Sequence, residues 1–278
     1  MEREFDLGYQ RRRYRLLVAD YPDETAYPAD SFRVEWGPVF HRGRLDGTAR
    51  LLVLGQDPAT AETITRRILV GTAGQRTQGL LARLGLTRSY VMVNTFLYSV
   101  YGQSGGTKHI KDGAIADYRN DWLNAIVDHN EIAAIVTLGS LAQQAFEQWH
   151  ATSAGATFTG RQVGILHPTY PESASRNGKI SHAAAMERLL ADWNGALPEL
   201  IGAITHPDQS PNPTPYGAEF TPADLPPIPP DDLPAGTPGW MRSGPSWAAR
   251  TGPDADTKRA TLTVTVPRGA RPWKPQTT

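Results

Sequence analysis

The chain of 278 residues has no cysteine. That excludes a disulfide framework, a thiolate zinc site and a cysteine-ligated iron–sulfur cluster. It also lacks an excess of either charge, since Lys+Arg and Asp+Glu both total 28. No global field therefore attracts a polyanion, and any nucleic-acid contact has to rest on a local patch. Neither a signal peptide nor a long apolar span is present, so a soluble, cytoplasmic protein is expected. The seven histidines are not paired at i, i+4 as in a helical metal site. The Gly-x-Ser-x-Gly elbow of serine hydrolases and the Gly-Lys-Ser/Thr of a P-loop are missing too. No metal and no cofactor are expected, and no solenoid repeat occurs.

What the chain does contain is four short apolar runs rich in Val, Ile and Leu: "RLLVLGQ", "SYVMVNTF", "AAIVTLGS" and "RQVGILHP". They have the composition of buried strands. Helical patterns alternate with them: "TQGLLARLGL", "AIADYRNDWLNAIVDHN", "SLAQQAFEQWH" and, after the last, "SHAAAMERLLADWNGAL". The β-α-β-α order predicts an α/β fold, a three-layer α/β/α sandwich around a central four-stranded parallel sheet, spanning residues 1–204. Composition then changes. Sixteen of the 23 prolines fall between His206 and Thr278, which excludes helix interiors and central strands. Residues 205–278 are expected to form an extended Pro-rich arm. Trp240, Trp247 and the alternating "TLTVTV" (Thr261 to Val266) suggest partial docking on the body or on a ligand, against the alternative of a disordered tail.

In a parallel sheet the functional residues lie beyond the carboxyl ends of the strands. Those ends are Gly55-Gln56-Asp57-Pro58, Asn94-Thr95, Gly139-Ser140 and His167-Pro168. An acid, a carboxamide and an imidazole thus meet on one edge, although each alone also fits a turn former or helix cap. Basic clusters at Arg11 to Arg15, at Thr65 to Arg67 and at Arg76 are candidate nucleic-acid contacts or simply solvated faces. The loop "GQSGGTKH" (Gly102 to His109) either lines a pocket mouth or only connects.

From roughly Phe32 to Trp193 the sequence resembles the uracil-DNA glycosylase superfamily. "GQDPA" is similar to its first motif, "VGTAGQRTQGLLARLGL" with "YVMVNTF" to the segment leading to its base-reading Asn, "IVTLGSLAQQAF" to its third strand and helix, and "HPTYPESASR" to its His-Pro loop. The resemblance implies a monofunctional DNA glycosylase that flips a pyrimidine nucleotide and hydrolyses its N-glycosidic bond, acting as a monomer on DNA. Asp57 would position water and stabilise the sugar cation, and His167 would stabilise the departing base. Asn94 would read the base edge, with Gln56, Pro58, Ala59 and Leu69 shaping the base pocket. Gly71, Gly74, Gln75 and Arg76 would approach phosphates, as would Pro168, Thr169, Tyr170, Pro171 and Ser173 of the second loop, where Tyr170 or Pro171 could be a wedge in the vacated stack or part of a rigid turn.

Two departures bear on the substrate. Ala59 stands where strict uracil enzymes carry a tyrosine against C5 of the base. Leu69 occupies the place of the stacking phenylalanine, leaving Phe96 or Tyr98 as substitutes. An open C5 side accommodates uracil, mismatched thymine or a pyrimidine with a bulky C5 group, and the bacterial anti-phage glycosylases of this superfamily, which remove glucosylated 5-hydroxymethylcytosine, are a second resemblance. A non-catalytic DNA-binding module on the same fold is the alternative. No lysine in these motifs suggests a Schiff-base step.

Overall fold

The computed structural model describes residues 9–102, 106–244 and 247–270. A short helix, α1 (Arg12–Ala19), precedes a five-stranded sheet built from β1 (His41–Gly43), β2 (Leu51–Gly55), β3 (Tyr90–Asn94), β4 (Ala134–Leu138) and β5 (Arg161–Ile165) in the order β1-β3-β2-β4-β5. The four apolar runs form β2 to β5 and pair in parallel. The expected four-stranded sheet is therefore enlarged by one strand: β1 runs antiparallel on β3, with His41 opposite Val93. Its three residues, His-Arg-Gly, carry no apolar run, and that is why no strand pattern marks them. They are buried all the same, the His41 ring lying 5.2 Å from Tyr9 and 6.3 Å from Trp122.

Successive side chains along each central strand face opposite layers. Leu52, Leu54, Val91, Val93 and Ile135 enter one core with α4 (Gly113–Val127) and α5 (Ser140–His150). Leu51, Val53, Met92, Val136 and Val163 enter the other with α3 (Thr72–Arg83) and α7 (His182–Ala203). The helices meet them at helical spacing, with Met186, Leu189, Leu190, Trp193, Leu197 and Leu200 on one face of α7 and Ile115, Tyr118, Trp122 and Ile126 on one face of α4. Strand β2 is the point from which the order runs outward in both directions, so the crevice of the sheet opens at its carboxyl end.

The Pro-rich arm lies along this body. Asp208 accepts the amides of Thr87, Arg88 and Ser89 at 2.8, 2.8 and 2.9 Å. Tyr216 and Asn194 exchange two hydrogen bonds, and Arg83 pairs with Asp224 at 2.6 Å while stacking on Tyr216. Ile228, Leu233 and Trp247 enclose Val70 in a third apolar cluster. Asp232 reaches under the sheet edge to Arg42 at 2.9 Å, both side chains fully buried, and also accepts the Tyr90 hydroxyl at 2.7 Å. Near its end β6 (Ala248–Ala249) pairs antiparallel with β7 (Thr263–Val264), with α8 (Ala255–Ala260) between them. Among the described residues no helix is long and apolar enough to cross a membrane.

Candidate active site

Strand β2 delivers Gln56 and Asp57 into the crevice. The Asp57 Oδ2 accepts the Val100 amide at 3.0 Å. Val100 is held for this task by a bridge to Phe32, while Tyr101 N donates to Ser31 O and Arg33 N to Ser99 O, each at 2.8 Å. Burial pushes the Asp57 carboxyl up from 3.8 to about 6, and this outweighs the Val100 and Gln56 hydrogen bonds and the charges of Arg250 and Arg33, all of which act downward. The group is therefore ionised at neutral pH while held in a poorly solvated place.

Asn94 ends β3 directly opposite Gly55. A Cβ on Gly55 would stand 2.4 Å from Asn94 Oδ1, so glycine at this strand end makes room for the carboxamide. No side-chain hydrogen bond ties that carboxamide to a described residue, and it lines the cleft with both donor and acceptor available.

His167 follows β5. Its Nδ1 accepts the Thr169 amide at 3.2 Å and lies 3.0 Å from Thr169 Oγ1. An accepting Nδ1 places the proton of the neutral ring on Nε2. Burial holds the imidazole down at about 4, with Glu172 opposing and Arg76 reinforcing the shift. At neutral pH His167 is thus an uncharged Nε2–H donor.

These three side chains share one cleft of about 250 Å³ with Gln56, Ala59, Leu69, Gly71 and Thr169. Ala59 is the N-cap of α2 (Thr60–Thr65), and Leu69 is 6% exposed with φ of 52°. A leucine in the left-handed region is strained by about 1–3 kcal/mol, and such strain collects at functional sites. Gly74 permits the turn, because a Cβ there would lie 1.7 Å from the Leu69 carbonyl oxygen. The substitutes for a stacking ring do not serve: Phe96 packs on Phe32 in the core, and Tyr98 is buried with its hydroxyl on Pro22 O. No phenylalanine, tyrosine or tryptophan among the described residues lines the cleft, so the apolar face offered to a base is Leu69 with Val70.

Glu62 and Ala248 also line the cleft, and sequence reasoning passed over both. Glu62 is 4% exposed, and its two carboxylate oxygens accept the amides of Ala59 at 3.1 Å and Val70 at 2.9 Å. Burial, aided slightly by the Asp57 charge, raises it to about 7 against those bonds. Its spacing from Ala59 is that of a capping box, but alanine has no oxygen to complete the motif, so the signal is half missing. Ala248 belongs to the arm, far along the chain from Asp57, and nothing local could have announced it.

Several residues expected at DNA are engaged elsewhere. The Arg76 guanidinium, 7% exposed, holds Pro168 O at 2.6 Å and Glu172 at 2.8 and 3.0 Å, clamping the loop that carries His167 instead of facing a phosphate. Gln75 ties down the arm, its Nε2 donating to Leu225 O and its Oε1 accepting from Gly244 N. Pro171 is buried at the start of α6 (Tyr170–Ala174), where proline is favoured because its missing N–H has no helical partner. Pro168 is buried as well, the Tyr170 ring packs on the core beneath Arg188, and Ser173 Oγ donates to Tyr170 O. The "HPTYPESASR" segment is thus a short turn that runs into α6 and a 3-10 turn at Ser175–Asn177. Arg66 is spent on the carbonyls of Trp36, Pro38 and Thr63, and α1 with Arg11 to Arg15 packs near Asp46 and His129, at the amino ends of the strands and away from the cleft. Of "GQSGGTKH", residues 103–105 lie outside the described residues, and His109 is turned inward onto Asp112 at 2.6 Å.

Among the described residues no group of three or more His, Asp or Glu could hold a metal ion. The cleft thus combines an anion, a neutral donor and a carboxamide with both donor and acceptor available. A search of curated proteins finds no match. The family pattern described as the uracil DNA glycosylase superfamily matches residues 42–194, which include Asp57, Asn94 and His167 and all four parallel strands. By that match the chain belongs to the uracil DNA glycosylase superfamily, and membership supports a DNA glycosylase activity.

Proposed function

We propose that the protein is a monofunctional DNA glycosylase that everts a pyrimidine nucleotide and hydrolyses its N-glycosidic bond, leaving an abasic site. The observation that carries this reading is the meeting of ionised Asp57, neutral His167 and Asn94 in one cleft. Heterolysis of the bond leaves positive charge on the sugar and negative charge on the base. Asp57 answers the first and orients the water that adds to C1′. The His167 Nε2–H answers the second by donating to a base oxygen, and the water's proton ends on the released base. Asn94 pairs with the edge of the everted base. Among the described residues no lysine lines the cleft, which supports hydrolysis without a Schiff base.

The substrate is uracil or a pyrimidine substituted at C5. Small residues, Ala61, Gly71, Ala73 and Ala248, line the cleft together with Ala59, beside the Glu62 carboxylate that accepts the Ala59 amide. This favours a substituted base, of which glucosylated 5-hydroxymethylcytosine in phage DNA is the largest considered, and with it a role in anti-phage defence.

The test is incubation with oligonucleotides carrying uracil, thymine opposite guanine, 5-hydroxymethylcytosine or its glucosylated form, followed by alkaline cleavage of abasic sites. Strand breaks are expected with at least one. Binding without breaks on any of them would leave the non-catalytic DNA-binding module as the correct reading.

A further inference from the structure

The cations that the sequence offers most openly are absorbed by the fold: Arg66 and Arg76 are bound internally, and Arg11 to Arg15 lie near the opposite edge of the sheet. A different set stands at the rim of the cleft. Trp247 is rooted in the Val70 cluster and Ala248 lines the cleft, so Arg250, two residues further and exposed, emerges at its mouth. Arg33 lies behind it, 1% exposed, its guanidinium 4.5 Å from the Trp36 ring and 4.1 Å from the Tyr101 ring. Its Nη1 donates to the carbonyl of Arg259 at 3.0 Å, and the Arg259 guanidinium lies 5.4 Å from Tyr101. Tyr101 directly follows Val100, whose amide holds Asp57.

The charges of Arg250 and Arg33 therefore reach Asp57, and Arg259 joins them through Arg33 and the Tyr101 ring. Burial and the neighbouring charges of Arg250 and Arg259 hold Arg33 below the ordinary arginine range. None of the three forms an ion pair among the described residues. Glu35, the acid nearest Arg33, accepts the Tyr101 hydroxyl at 3.1 Å, and Asp254 is occupied in capping α8 through the Thr257 amide. Arg33 Nε is buried with no hydrogen-bond partner. Clustered like charges of this kind are unfavourable until an anion joins them. A DNA strand entering the cleft faces the opposite difficulty, since its phosphates are repelled by Asp57. A phosphate bound at the rim would neutralise the cluster, and the arginines would offset its repulsion by Asp57.

We propose that the C-terminal arm supplies a phosphate site of the active cleft, in which Arg250 and Arg259, backed by buried Arg33, bind a phosphodiester of the strand carrying the everted nucleotide. The proposal rests on the glycosylase reading for the identity of that strand. It is tested on the full chain with Arg250→Ala/Arg259→Ala and, as a control, Arg13→Ala at the far end of the body. Binding to a duplex carrying a tetrahydrofuran abasic analogue is followed by fluorescence anisotropy over a range of salt concentrations.

Loss of one phosphate contact lowers the slope of log K against log salt by about 0.9. The double variant is expected to show that change together with a tenfold or greater loss of affinity at low salt, while Arg13→Ala shows neither. Replacing the phosphates flanking the analogue, one at a time, with uncharged methylphosphonates should identify one position at which the variant and the wild type bind alike. Misfolding of the variant would weaken binding at every position and could not produce that pattern. An unchanged slope, or losses from the arginines and the methylphosphonates that simply add at every position, would overturn the proposal. If the wild-type protein releases no base from any substrate, the glycosylase reading fails, yet the slope and the methylphosphonate scan still decide whether these arginines bind DNA phosphate.

Discussion

Replacing Asp57 with Asn should abolish base release and at the same time stabilise the protein, and the size of the second effect follows from the site. Burial raises the carboxyl from 3.8 to about 6. At 1.36 kcal/mol for each tenfold change in proton affinity, the ionised group costs the fold up to about 3 kcal/mol. Part of the side chain is open to the cleft, where water screens it, so about 1–3 kcal/mol is expected. Below about pH 3 the group is protonated both folded and unfolded, and the variant should match the wild type. As pH rises from about 4 to about 6 the unfolded chain ionises first, so wild-type stability falls through that window and stays lower above it. The asparagine of the variant suffers no such loss, and its carboxamide oxygen can still accept the Val100 amide. Relief of the repulsion on Glu62 adds to the gain in the same direction.

Thermal unfolding monitored by circular dichroism at pH 3 and pH 8 should show nearly coincident midpoints at the lower pH and a variant higher by several degrees at the upper. Base release by the wild type under single-turnover conditions should climb with pH to about 6 and then level, because His167, held at about 4, is already neutral across that limb. A midpoint difference independent of pH, or an activity limb centred near 4, would refute the reasoning.

Three further outcomes concern the walls of the cleft. Arg76→Ala frees the loop that holds His167 and should lower single-turnover base release at least tenfold, about 1.4 kcal/mol in the barrier, with DNA affinity largely retained; Arg76→Lys, unable to form the two-pronged contact with Glu172, should not restore it. Gly55→Ala drives a methyl group into Asn94 Oδ1 and should remove base release while circular dichroism stays that of a folded protein. Ala59→Tyr closes the C5 side, so release of C5-substituted pyrimidines should fall by far more than release of uracil, as measured on paired oligonucleotides.

Strands β2, β3 and β4 were legible because both faces of the sheet are buried there and such strands are continuous apolar runs, whereas the edge strand β5, with only Val163 and Ile165 buried, was marked by alternation and by the His-Pro that ends it. The convergence of Asp57, Asn94 and His167 followed from strand polarity alone. Strand β1 was not legible, since it takes its hydrogen bonds from β3 and its burial from Tyr9, Trp122 and the arm, none of which leaves a trace in His-Arg-Gly. Charge was the least readable property. Arg76 looked like a phosphate ligand until its partner Glu172, 96 residues away, came beside it, and Arg250 gained its position only through the docking of Trp247. A cluster of basic letters shows where positive charge is encoded, and only the tertiary partners show where it remains unspent.

The Arg42–Asp232 pair has a consequence in time. The two residues are 190 positions apart, so a chain emerging from the ribosome completes β1 to β5 while Arg42 still lacks its counterion. A guanidinium cannot be sealed in an apolar edge without one, so that edge should stay wet until Asp232 arrives. Closure of that edge then waits for Asp232, and a fragment ending at residue 204 should remain loosely packed and expose the edge of β1 to other chains.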